Sequence, residues 1–162
     1  MATYQRGDIT LRAAVTTNDT LLDGTTSGAT FAETDRPSHA KEIDNDTDYL
    51  EVYVKGTAAA NKTFTLTLWG YGETGPARRM ASVAGVLGAA VTGGTTEFYA
   101  DTMTVTDKNL VAVAEKDTAA DHVCKLVVPC LGYKYIAAQV TDLGGAGGAA
   151  SITVMARPYG SR

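Results

Sequence analysis

The chain is short of the residues that most often do chemistry. Its 162 residues include two histidines, two cysteines and one tryptophan. His39 sits beside Ser38 in an irregular stretch, and His122 stands at the start of an expected strand. No nucleophile-elbow motif accompanies either, so a Ser-His-Asp arrangement has no support from spacing. No pair of carboxylates is singled out for glycoside chemistry. Cys124 and Cys130 share parity with Leu126 and Val128, which puts all four on one face of an extended segment. Six extended residues span roughly 20 Å, beyond disulfide reach, and two cysteines alone cannot build a structural zinc site. Two buried, reduced thiols are expected instead. The expectation is a protein that is not an enzyme and that holds no cofactor and no metal.

Basic charge is also lacking. The formal net charge is −4, whereas a nucleic-acid binder needs a positive face to neutralise phosphates. No apolar run is long enough to span a bilayer. The opening MATYQRGDIT has no apolar core of the kind a signal peptide carries. The reading is no nucleic acid, no membrane and assembly in the cytoplasm. Lys, Glu and Leu, the usual builders of helices, are scarce.

What is present is threonine, alanine, glycine and valine in alternating patterns, which is a strand signal. The clearest stretch is 48–71, DYLEVYVKG-TAAANK-TFTLTLWGY. Leu50, Val52 and Val54 alternate with Tyr49, Glu51, Tyr53 and Lys55. Phe64, Leu66 and Leu68 alternate with threonines, Trp69 and Tyr71. A period of two puts one set on each face of a sheet. The aliphatic set should face a core, and Tyr49, Tyr53, Trp69 and Tyr71 should point outward. A direct hairpin with Lys55 opposite Thr63 would place Tyr49 across from Trp69, a cross-strand aromatic pair. Strands lying in opposite sheets would abolish that pair.

Further strands are expected at 8–16, 78–84, 97–106, 110–115, 122–128, 133–142 and 151–157. A glycine-rich bend should follow Ala84, and prolines should stop the strands before Pro129 and Pro158. Residues 17–47 show no period. Their isolated apolar anchors, Leu21, Leu22, Phe31 and Ile43, suit an extended arm lying on its own sheet or on a neighbour. The sum is one all-β domain over 1–162 with eight or nine antiparallel strands. A jelly-roll-like sandwich is the first choice and another Greek-key sandwich the second. Residues 1–47 would supply the first strand and the arm, and 48–162 the main sandwich.

Several motifs reduce to bland readings. Asp44-Asn45-Asp46-Thr47-Asp48 matches half of a calcium loop but lacks the glycine at position six. At position twelve it has Lys55 where a glutamate is needed. It reads as a polar turn feeding a strand. The GGAGG run at 144–148 has no following Lys-Ser or helix and reads as a hairpin loop. Arg78 and Arg79 point to opposite faces of a strand and read as solvated charge. Three glycosylation sequons, starting at Asn18, Asn45 and Asn61, follow from the threonine content.

DYLEVYVKGT, TFTLTLWGYGETGPARRMASV, FYADTMTVTD, LGYKYIAAQVTD and the closing SITVMARPYG together resemble small accessory virion proteins of tailed bacteriophages. The resemblance covers about residues 48–160. It implies a β-sandwich that decorates or cements a capsid, bound to the major capsid protein or other virion subunits on the capsid exterior. It also implies a homo-oligomer, a trimer by preference. It assigns no binding residue. The candidate interface comes from the pattern: Tyr49, Tyr53, Trp69 and Tyr71, with Leu21, Leu22 and Phe31 of the arm. A tail-tube or head–tail connector subunit and a lectin-like carbohydrate-binding module are the alternatives.

Overall fold

The structure is a computed structural model, and it describes residues 3–5, 7–19, 36–57, 61–73, 77–90, 97–106, 113–116, 124–145 and 151–161. Eleven strands are present among them, and no helix: β1 (Thr3–Gln5), β2 (Ile9–Val15), β3 (Lys41–Glu42), β4 (Thr47–Thr57), β5 (Thr63–Tyr71), β6 (Arg78–Ala90), β7 (Glu97–Val105), β8 (Val113–Lys116), β9 (Cys124–Pro129), β10 (Tyr135–Gly144) and β11 (Ile152–Ser161). All pairings are antiparallel.

One sheet contains every strand; eight run in the order β1-β11-β4-β7-β6-β5-β10-β3, and β2, β8 and β9 lie off that path. Two further pairings make it curl toward closure. β2 pairs with β11, and the chain just after β2 reaches β10, where Asp19 N donates to Val140 O at 2.8 Å. The wall therefore runs almost full circle, like a barrel with one seam.

The direct hairpin expected between β4 and β5 is absent. β4 pairs with β11 on one edge, while β5 pairs with β6 and β10. The other edge of β4 is divided: its first half, Tyr49–Val52, pairs with β9, and its last residues, Lys55–Thr57, pair with β7. The β8–β9 hairpin fills the wedge between β4 and the far end of β7. Gly56 lies inside β4, paired with Ile152 and Phe98, and the turn residue Asn61, with φ of 63°, does not say which strand the chain returns to.

Alternation dictates the interior. Leu50, Val52, Val54, Phe64, Leu66 and Leu68 are all buried, with Leu126, Val128, Ile136, Val140, Ile152 and Val154 around them. Cys124 and Cys130 belong to the same core and are not joined in a disulfide. Burial, then the nearby Asp48 charge, push the Cys130 thiol up to about 12, so it stays protonated and inert.

Two breakers behave differently from expectation. β6 continues as a strand through Gly85 and Gly88 to Ala90, with its pairing to β7 shifting register on either side of Leu87. Gly85 lies opposite Phe64, whose ring occupies the space a Cβ would need, so the glycine is a seat for an aromatic ring. Pro158 lies inside β11. It falls between the residues paired with β2, which end at Ala156, and those paired with β1, which begin at Tyr159. At that gap a missing N–H costs no ladder bond.

Candidate interaction surface

The outward residues of β4 and β11 form a stripe of tyrosines. Tyr49 lies opposite Tyr159, and their rings stack with centroids 5.0 Å apart and planes 6° from parallel. Further along β4, Tyr53 meets Tyr99 of β7 at 6.3 Å between centroids. All four rings are half-buried. Polar partners hold Tyr53 and Tyr159. Tyr53 donates to Asp8 Oδ2 at 2.9 Å, and Tyr159 donates to Glu51 Oε2 at 3.0 Å. Arg157 grips Asp8 with two bonds, Nε to Oδ1 at 2.6 Å and Nη2 to Oδ2 at 3.1 Å. Lys125 approaches Glu51 at 3.9 Å.

The charge states follow from these contacts. The Arg157 guanidinium holds the Asp8 carboxyl below its ordinary value, with the Tyr53 hydroxyl adding to the effect against partial burial. Burial first, then the bond to Asp8, pushes the Tyr53 phenol up to about 12. Burial raises Tyr49 and Tyr159 as well. At neutral pH the stripe is thus uncharged rings set among paired charges.

Trp69 and Tyr71 lie on a different wall. Trp69 keeps its outward parity and donates from Nε1 to Gln139 Oε1 of β10 at 3.1 Å. Tyr71, read from the alternation as pointing outward, is 0% exposed, yet it is not part of the core cluster with Phe64 and Leu68. It lies opposite Tyr135, and the Arg36 guanidinium sits 3.6 Å above the Tyr135 ring. Arg36 of the flank at 36–43 thus reaches over Tyr135 at this end of β10.

The same flank and the end of β2 close the free edge of β10. β3 pairs with Tyr135 and Ile136. His39 Nε2 lies 3.1 Å from Ala138 O, a bond that needs the proton on Nε2. Asp19 Oδ2 accepts from Val140 N at 3.0 Å, and Asn18 Oδ1 accepts from Leu143 N at 2.9 Å. Arg12 of β2 makes a two-pronged pair with Asp19, which raises the Arg12 value. Burial holds the His39 imidazole below its ordinary value, helped by the Arg12 and Lys41 cations. An edge strand needs such cover to avoid pairing with other chains. Asp19, Asn18 and His39 supply it with side chains beyond the two residues that β3 pairs. Both ends of the expected arm thus anchor on the chain's own β10, while Leu21, Leu22, Phe31 and His122 lie outside the described residues.

The acidic run forms the turn into β4, with Thr47 N donating to Asp44 O at 2.9 Å. Alternation found Tyr49 and Tyr53 but missed Asp8, Tyr99, Arg157 and Tyr159, because only the long-range pairing of β4 with β11 and β7 brings them together. It also missed Leu131, which is 68% exposed at the tip of the tight turn that Gly132 makes with φ of +87°. The Leu131-Gly132 pair ahead of an apolar strand was the available signal. No protein-family model, curated protein or solved structure matches the chain.

Proposed function

We propose that the chain is a structural virion protein that decorates or cements the exterior of a tailed-phage capsid, contacting the major capsid protein or other virion subunits and its own copies. In this reading the nearly closed sheet is a flattened, jelly-roll-like sandwich, and the protein works by contact and performs no catalysis. The observation that carries the proposal is the tyrosine stripe. Tyr49, Tyr53, Tyr99 and Tyr159 present large amphipathic rings whose positions are fixed in advance by stacking and by Asp8 and Glu51. Tyrosine is favoured at contact surfaces because one side chain supplies apolar area and a hydrogen-bonding tip. Rings ordered before contact lose little entropy on binding. The resemblance over 48–160 supplies the class of partner.

The test is addition of the purified chain to tailed-phage shells stripped of accessory protein. Wild type should sediment with the shells. The double variant Tyr53→Ala/Tyr159→Ala should fold and bind at least tenfold more weakly, since contact tyrosines commonly contribute more than about 1 kcal/mol each. A wild-type chain that never sediments with shells sinks the proposal. Binding to a glycan array in its place would favour the lectin-like reading.

A further inference from the structure

Beside the tyrosine stripe, whose Tyr99 stands on β7, three rows of outward residues across β5, β6 and β7 bear no charge. Cross-strand pairing sets them in rows. Thr65 lies opposite Ala84, which lies opposite Thr104; Thr67 lies opposite Ser82; and Val86 lies opposite Thr102. Ala84, Thr102 and Thr104 are exposed, and Thr65, Thr67 and Ser82 are half-buried. Neighbouring strands are about 4.8 Å apart and alternate residues about 6.8 Å apart, so the rows form a shallow grid of hydroxyls and methyls. Charge begins only at the rim, with Arg79 beyond Ser82 and Asp101 beside Thr102.

Such a face offers an ion, a nucleic acid or a charged partner nothing to hold. It does suit its own copy. A two-fold interface must be self-complementary, because each residue meets the same patch on the other subunit. A hydroxyl both donates and accepts, so two identical threonine grids can satisfy each other, whereas two patches of like charge cannot. The chain has a net charge of −4, so a neutral face is where two copies bring the least like charge close together. Short side chains also let two sheets approach to the usual spacing of about 10 Å.

We infer that this face packs against the same face of a second copy, giving a two-fold pair in place of the trimer that the sequence suggests. The inference rests on the homo-oligomer of the proposed function and names the surface that makes it. Sedimentation of the full chain alone, without shells, tests it. Wild type should run as a dimer at micromolar concentration. Ala84→Lys/Thr104→Lys should weaken that dimer at least tenfold while retaining the wild-type circular dichroism. Ala84 stands in the middle row of the middle strand, so Ala84→Cys treated with diamide should give a dimer on a non-reducing gel. A wild-type monomer or trimer, or a lysine variant that sediments as wild type, overturns the inference. Should the lysine variant fail to fold, the absence of a cross-link in Ala84→Cys overturns it equally. A dimer of this kind that never adds to shells would remove the accessory-protein reading alone, and a monomer that coats shells would remove the dimer alone.

Discussion

Thr47 opens β4 as a residue at 3% exposure, its hydroxyl without a hydrogen-bond partner among the described residues. A buried hydroxyl left unsatisfied costs about 1–3 kcal/mol. Thr47→Val keeps the branched shape and removes the polar atom, so it should raise stability by about 1 kcal/mol in a urea titration. An unchanged or lower midpoint would mean the hydroxyl has a partner. Gly85 is the opposite case. Its space belongs to the Phe64 ring, and Gly85→Ala should lower stability by about 1–3 kcal/mol through overpacking. The same titration would show no loss if the ring could step aside.

At the scale of elements, β10 shows how a seam can be closed without a ladder. Asp19 is the clasp: its carboxylate takes Arg12 from β2 and the Val140 amide from β10, with only 13% of the side chain exposed. Asp19→Ala should cost about 2–3 kcal/mol, because it strands a backbone donor and removes a charged hydrogen bond. Hydrogen exchange should quicken at Val140 and Leu143 ahead of the β5 and β6 amides. Uniform exchange across the sheet would reject the clasp. None of this was visible in the sequence, where Asn18 and Asp19 look like one more polar turn. The strands themselves were legible, because a period of two needs only neighbours: 50, 52, 54, 64, 66 and 68 all face inward as the alternation requires. Partners were not legible. Tyr49 seemed to belong with Trp69 because the hairpin is the shortest connection, but its ring stacks on Tyr159, 110 residues away. Tyr71 reads as outward-facing, but alternation records the face and not what lies on it.

For the molecule as a whole, acid should be destabilising in two stages. His39 has a folded value below its ordinary one, so the unfolded imidazole takes a proton first as pH falls below about 6.5. The stability tied to neutral His39 is full above that pH and is lost toward its lower folded value. Asp8 is likewise depressed, so its contribution is full above about 3.9 and is lost as pH falls through its folded value. Urea midpoints at pH 7, 5.5 and 3 should fall in that order. His39→Gln should flatten the first interval and Asp8→Asn the second; a midpoint that rises between pH 7 and 5.5 would contradict the assignment for His39. The place of β11 bears on the living cell in another way. β1, β2 and β4 all lean on it, yet it is the last of the eleven strands to leave the ribosome. At 5–20 residues per second, β4 waits roughly 5–20 s for its partner with an eleven-residue edge uncovered. Few local contacts can shorten that delay, since pairings of this range put folding in the millisecond-to-second class even once synthesis is complete. Nascent chains arrested before Ile152 should therefore be cut readily by protease within β4 and should recruit chaperones, and release of the remaining ten-residue strand should end both.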